Sequence, residues 1–199
     1  KVGDRVLDAP SGAGALTAAL ARRGLDAWGA DLVVPDGGAS ATTVKAADLN
    51  ERLPWPDDHF EAVFSIEGIE HLENPLGFIR AVTEVLVDDG WLIVTTPNVL
   101  SLSSRLELMV RGHDFGFSDE DYRANGHICP VSLKQLHRIG ARAGLSIEAV
   151  TYNAGRIPLP RLRKRFVLRS DWARSGMLGE SLIVKFRKHA DTAEPFTRG

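Results

Sequence analysis

The chain predicts an open α/β sheet, and three observations carry that expectation. Short apolar runs recur along the first half, at "RVLD", "DAWGAD", "TVKA" and "FEAVFSI". Between them lie segments with helical spacing or tight turns rich in small residues. A later run, "WLIVTTP", has the unbroken apolar stretch of a strand covered on both faces. Strands that alternate with helices argue against a sandwich or a bundle.

The elements follow in order. Residues 5 to 8 read as the first strand, and residues 14 to 23 as its helix. In that helix Ala15, Leu16, Ala19 and Leu20 share one face, and Gly24 marks the end. Asp26 to Asp31 is the second strand, "PDGGASAT" a turn, and a third short strand ends near Ala46. Residues 60 to 66 form the fourth strand. Residues 75 to 87 predict a helix through Leu76, Ile79, Val82, Val85 and Leu86, stopped by "DDG" ahead of the fifth strand. After Pro97 the rhythm changes. Residues 99 to 110 suit a helix, while residues 111 to 130 are polar and irregular, either a substrate lid or an inert surface loop. Ser132 caps an amphipathic run through Leu133, Leu136, Ile139 and Ala143, and "GLSIEAVTYNAG" and "ESLIVKFRK" are two more strands.

With 199 residues, 44% of them apolar, one substantial domain over residues 1–199 is expected. A formal charge of −2 gives no general reason to expect a nucleic-acid partner. The single cysteine, Cys129, forms no internal disulfide, which favours a reducing, cytoplasmic compartment. No apolar run approaches the roughly 20 residues needed to cross a bilayer as a helix. Lys1 stands almost on the first strand, so the natural chain is expected to begin earlier.

The turn "DAPSGAG" sits where parallel sheets bind ligands, beyond the carboxyl end of a strand. Gly12 and Gly14 let backbone approach a ligand, and the next helix offers free amides. A plain strand-to-helix connection satisfies the same residues. Asp8 is out of place beside a pyrophosphate but suits a cationic amino group, and Pro10 stands where a dinucleotide fingerprint wants glycine. Asp31 follows Asp8 by 23 residues, about the separation at which an acid takes ribose hydroxyls. Asp48 and Leu49 suit an adenine's amino group and ring.

Taken together, "VLDAPSGAG", "GADL", "KAADLNERLPWPDDHFEAVFSIEGIEHLENP" and "WLIVTTPN" resemble the class I S-adenosylmethionine-dependent methyltransferases. The resemblance implies a Rossmann-like, seven-stranded mixed sheet with helices on both faces and an antiparallel final hairpin. It also implies a cofactor-binding core over residues 1–98, an acceptor-side lid over 99–130 and a C-terminal part over 131–199. S-adenosyl-L-methionine is the cofactor it implies. Asp8, Gly12 and Gly14 match the methionine side, with Ala9 and Pro10 in the same turn and Pro10 departing from the family's commoner glycine. Asp31 matches the ribose acid, with Leu32 beside it, and Asp48 and Leu49 the adenine pair. Glu67 and Gly68 are placed on the cleft. The segments after residue 96 resemble a bacterial subgroup acting on small metabolites, sugars or lipid-linked groups.

Methyl transfer to oxygen by direct in-line displacement is the reaction expected. His71 is the candidate base, with Glu70 to orient it, because imidazole titrates near pH 6.5. His127 is the second candidate, ahead of His113, with Arg105, Asp114 and Tyr122 nearby in the lid. Cys129 has no local base arrangement and is read as structural, and no compact Cys/His/Asp spacing asks for a metal. The alternatives are an inactive adenine-cofactor-binding module and a nucleotide-dependent oxidoreductase. Residues 156–174 carry seven Arg or Lys against one Asp, with interleaved apolar residues. They suit either peripheral contact with an anionic membrane, a phosphorylated acceptor or a solvated crossover. Oligomeric state is left open.

Overall fold

A computed structural model describes residues 1–34, 43–153, 156–157, 166–167 and 175–189. Seven strands form one sheet: β1 (Arg5–Asp8), β2 (Asp26–Asp31), β3 (Val44–Ala46), β4 (Phe60–Ile66), β5 (Leu86–Pro97), β6 (Leu145–Tyr152) and β9 (Ser181–Lys188). Arg156–Ile157 (β7) and Phe166–Val167 (β8) make a separate antiparallel ribbon. The rest of the basic segment 156–174 lies outside the described residues. The sheet order is β3-β2-β1-β4-β5-β9-β6. All neighbours from β3 to β5 are parallel, and β9 runs antiparallel to both β5 and β6. The implied mixed sheet with its antiparallel final pair is therefore the fold.

Alternation along β1 assigns the two faces. Val6 packs with Leu20 of α1 (Ala15–Ala21), Ala27 and Ala62. Its neighbour Leu7 belongs to the larger core, with Phe78, Ile79 and Val82 of α2 (Pro75–Val85) and Leu136 of α5 (Leu133–Arg142). Successive side chains of a strand point to opposite faces, so helices cover both sides. Complete burial of side chains such as Leu7, Phe78 and Phe186 stabilises the fold by about 1.5–3 kcal/mol each. Gly140 brings α5 onto β9: a Cβ there would lie 2.5 Å from the Phe186 ring.

The helix expected over 75–87 ends two residues early. Leu86 is extended, fully buried and paired with Phe60, so its sheet contacts win over the helical spacing. "DDG" is accordingly no stop but part of β5. Asp89 has φ 62°, and the register against β4 shifts between Phe60 and Ala62, as in a β-bulge. The first helix is also shorter than expected, with Gly14 as its N-cap in the left-handed region (φ 76°).

Residues 99–130 hold α3 (Leu102–Arg111) and, unexpectedly, α4 (Asp119–Asn125). Ser118 starts α4 with a capping box: its hydroxyl accepts from the Asp121 amide, and the Asp121 carboxylate accepts from the Ser118 amide at 2.9 Å. Glycines at 112, 116 and 126, all with positive φ, separate these pieces.

Candidate active site

The carboxyl ends of β1, β2, β3 and β4 open into a cleft of about 530 Å³. That volume falls within the range of small-molecule sites. Asp8, Pro10, Gly12, Asp31, Leu32, Asp48, Leu49, Glu67, Gly68 and His71 line it. Asp8 is 2% exposed, and its Oδ2 accepts from the amide and hydroxyl of Thr17 at 3.0 and 2.8 Å. Burial pushes its carboxyl above the ordinary aspartate range, with the Thr17 bonds pulling against that shift. Asp31 accepts the Gly12 amide at 2.8 Å, which fixes the glycine turn over the tip of β2. Gly12 has φ 49°, and a Cβ there would meet nothing within 4 Å, so this backbone borders open space. Asp48 folds back on itself, its Oδ1 accepting from the amide and side chain of Asn50 at 2.9 and 3.1 Å.

Close backbone approach shapes the middle of the cleft. A Cβ on Gly68 would lie 2.1 Å from Pro10 Cδ, so the β1 turn and the β4 turn interlock only with glycine at 68. A Cβ on Gly29 would lie 2.9 Å from Ser11 Oγ, which seats that turn against β2. Glu67 has φ 47° and is held by β5: its amide donates to Thr95 Oγ1 at 2.9 Å, and Thr95 Oγ1 donates to Glu67 Oε1 at 2.8 Å.

Beyond Glu67 a single 3₁₀ turn (Ile69–His71) carries the far end of the cleft. Glu70 is fully buried, and neither carboxylate oxygen has a hydrogen-bond partner. Burial raises its carboxyl to about 7, and the Glu67 charge adds to the shift. Its own amide and the Thr96 hydroxyl offset part of this, close by but outside hydrogen-bond geometry. The Glu70 carbonyl accepts the amides of Ile128 and Cys129, both at 3.0 Å. Those two bonds bring His127 to His71, with ring centroids 4.8 Å apart. His71 Nδ1 faces the Gly126 carbonyl at 3.3 Å, and His127 Nδ1 faces the Gly116 carbonyl at 2.7 Å. A carbonyl accepts, so each Nδ1 carries a hydrogen, and the neutral form of each ring has its lone pair on Nε2.

These features fit an adenosyl sulfonium ligand. The cleft has the right scale and carries carboxylates at successive strand tips. The Gly12 backbone, on its lining, borders open space, so a ligand can lie directly against it. Residues 1–150 match the family model described as "Methyltransferase domain". The chain belongs to that family. It is a class I, S-adenosylmethionine-dependent methyltransferase domain, with S-adenosyl-L-methionine as its cofactor, and the oxidoreductase alternative falls away.

Among relatives, a "Ubiquinone biosynthesis O-methyltransferase" of Pseudomonas syringae is 31% identical over 191 residues, covering 85% of this chain and 74% of its own. One of the same name from Psychrobacter arcticus is 27% identical over 134 residues, covering 57% of this chain and 52% of its own. The methyltransferase domain thus spans about half the length of several curated relatives it matches. A solved S-adenosylmethionine-dependent methyltransferase of Mesorhizobium loti shares the fold, with TM-score 0.62 at 18% identity, covering 94% of this chain and 91% of that one.

The structure separates the expected site residues of the methyltransferase into those on the cleft and those behind it. Ala9 is fully buried in the core, and Gly14 caps α1, so both shape the turn without lining the cleft. Glu70 makes no hydrogen bond to His71; the Gly126 carbonyl orients that ring instead. In the 99–130 segment, His113 Nδ1 pairs with the Asp114 carbonyl, and Tyr122 is exposed. Cys129 is half-buried, which pushes its thiol up and keeps it protonated. Sequence reasoning missed Ser11, Thr17, Asn50 and Thr95. Ser11 stood inside the quoted turn, whereas Thr95 is paired to Glu67 only by the register of β4 against β5. Among the described residues, no helix is long and apolar enough to cross a membrane.

Proposed function

We propose that the protein transfers a methyl group to a hydroxyl of a small metabolite, sugar or lipid-linked acceptor by direct in-line displacement. The observation that carries this reading is the polarity of the cleft: strand-tip carboxylates at one end and the His71 imidazole, packed against His127 behind it, at the other. Relatives named as O-methyltransferases support oxygen as the atom methylated.

On this reading, Asp31 takes the ribose hydroxyls and Leu32 packs beside them. Asp48 and Leu49 hold the adenine. Asp8 Oδ1, which the Thr17 bonds leave free, faces the amino group of the methionine part. The bound cofactor supplies a methyl group on a cationic sulfur, so the electron demand is already built in. The chain's task is alignment and water exclusion, worth about 7–11 kcal/mol in well-organised cases. That exceeds a general base's ~10²–10⁴-fold contribution. His71, oriented by Gly126, is placed to take the hydroxyl proton on Nε2, and His127 supports it edge-on.

A methyl-transfer screen with labelled donor tests the reading, using phenols, sugars and their lipid-linked forms. Label recovered as a methyl ether supports it; label found only on nitrogen or carbon, or on no acceptor while the donor binds, overturns it.

A further inference from the structure

Glu70 poses a physical problem that methyl transfer alone leaves unsolved. A carboxyl group with no exposed surface and two unpaired oxygens costs several kcal/mol when ionised. Buried polar atoms in native proteins nearly always have partners, and the Thr96 hydroxyl nearby, itself unpaired, can serve one Glu70 oxygen at most, which leaves the other for a ligand.

The surroundings specify what kind. One candidate ligand atom from each of Glu70, His71 and His127 lies within 4.8 Å of the others. Ligands held at about 2.0–2.2 Å from a shared ion stand roughly 3–4 Å apart, so closure needs the ligand atoms to draw together by about 1–2 Å through side-chain rotation. Both imidazoles already have their Nδ1 groups against backbone carbonyls, at Gly126 and Gly116. That arrangement is the usual second sphere of a metal-binding histidine, because it fixes the tautomer and aims the Nε2 lone pair. The two amide bonds from Ile128 and Cys129 to the Glu70 carbonyl hold the third ligand's segment in register.

We propose that Glu70, His71 and His127 bind one divalent first-row transition ion at the acceptor end of the cleft. Two imidazoles and one carboxylate suit zinc, manganese, iron or cobalt better than magnesium or calcium, which favour all-oxygen shells. Three protein ligands leave coordination positions open, and His71 lines the cleft, so the open side meets the space where an acceptor would lie. A hydroxyl on the ion becomes a stronger acid and releases its proton to solvent. The chemical role, though not the ion binding, rests on the methyl-transfer reading. In the loaded protein both imidazoles spend their lone pairs on the metal, and activation of the hydroxyl passes from His71 to the ion. His71 and His127 are 56 residues apart in the chain, which is why local spacing carried no metal signature.

The test measures binding without donor or acceptor. The full chain is stripped with a chelator, exchanged into metal-free buffer and titrated calorimetrically with ZnCl₂ and MnCl₂, and CoCl₂ binding is followed by visible absorption. One saturable ion per chain is expected, with a d–d spectrum of imidazole–carboxylate ligation. E70Q and H127A are each expected to weaken binding at least tenfold, while H137A, at an exposed histidine outside the cluster, leaves it unchanged. E70Q keeps the side chain's shape, and its thermal transition reports folding separately. No saturable site, or equal affinity in wild type, E70Q and H127A, overturns the proposal. Equal methyl transfer by stripped and loaded enzyme at a measured bound ion overturns the activating role and keeps the site. Bound ion with no methyl transfer to any hydroxyl overturns the functional reading instead.

Discussion

The two ends of the cleft, one proposed for the donor and the other for the acceptor, are built on opposite plans. At the donor end, Asp8 and Asp31 sit on adjacent parallel strands and are locked by bonds to Thr17 and Gly12, all within residues 8–31. At the acceptor end, His71 and His127 come from distant segments and meet because the Glu70 carbonyl accepts two amides across the gap. The first plan repeats wherever the sheet repeats. The second depends on a lid of two short helices jointed by glycines, which is free to vary as long as its closing bonds survive. A cofactor common to a family suits the first arrangement, and a variable acceptor suits the second.

The interlock at Gly68 joins the two ends, so breaking it should have the largest effect. Gly68→Ala puts a methyl group against the stiff Pro10 ring and is expected to cost about 3 kcal/mol. Chemical denaturation checks the stability, and calorimetry should show donor binding lost with it. Asp31→Ala sharpens the contrast by touching the donor end alone. Loss of charge-assisted bonds worth about 1.5–3 kcal/mol is expected to raise the donor Kd by roughly 10–100-fold, with little change in the His71–His127 contact. Titration with S-adenosylmethionine measures the first, and histidine NMR shifts the second.

Asp8 ties donor binding to pH. Its folded-state pKa is raised by burial, so its contribution to stability is complete below the unfolded value near 3.8. That contribution is lost as pH rises through the raised value, because the folded state must surrender a proton it holds more tightly. Asp8→Asn keeps an acceptor for Thr17 and removes the loss. The Tm of the variant is therefore expected to gain on wild type as pH rises above 4, while its donor affinity falls. A flat difference between the two Tm curves would contradict the assignment. The smallest effect belongs to the lid: Ser118→Ala removes the α4 cap, worth about 1 kcal/mol locally. Acceptor KM is expected to rise a few-fold with donor Kd unchanged, read from initial rates and calorimetry.

The contrast also explains what was legible in the sequence. Asp8, Gly12, Asp31 and Asp48 were readable because strand ends and turns are local signals, and ligand sites follow strand ends in parallel sheets. Thr95 was not, because its bond to Glu67 is set by strand register, a long-range property. The end of α2 misled for a related reason: Leu86 satisfies helical spacing, yet sheet burial claims it. α4 escaped because its apolar content is low and its stability rests on capping by Ser118 and Asp121, with no buried face to leave a periodic trace. Glu70 was read as an orienting group for its neighbour, whereas the fold places its side chain in a closed interior without a bond.

The paired amides on the Glu70 carbonyl have an engineering consequence. Chain entering at Val99 and leaving at Gly126 is anchored downstream by main-chain atoms, which any residue at 128 or 129 other than proline supplies. Cassettes between those points that keep the carbonyls of Gly116 and Gly126 against the two histidines are therefore exchangeable in a directed library, with selectivity rewritten while the donor half is left untouched.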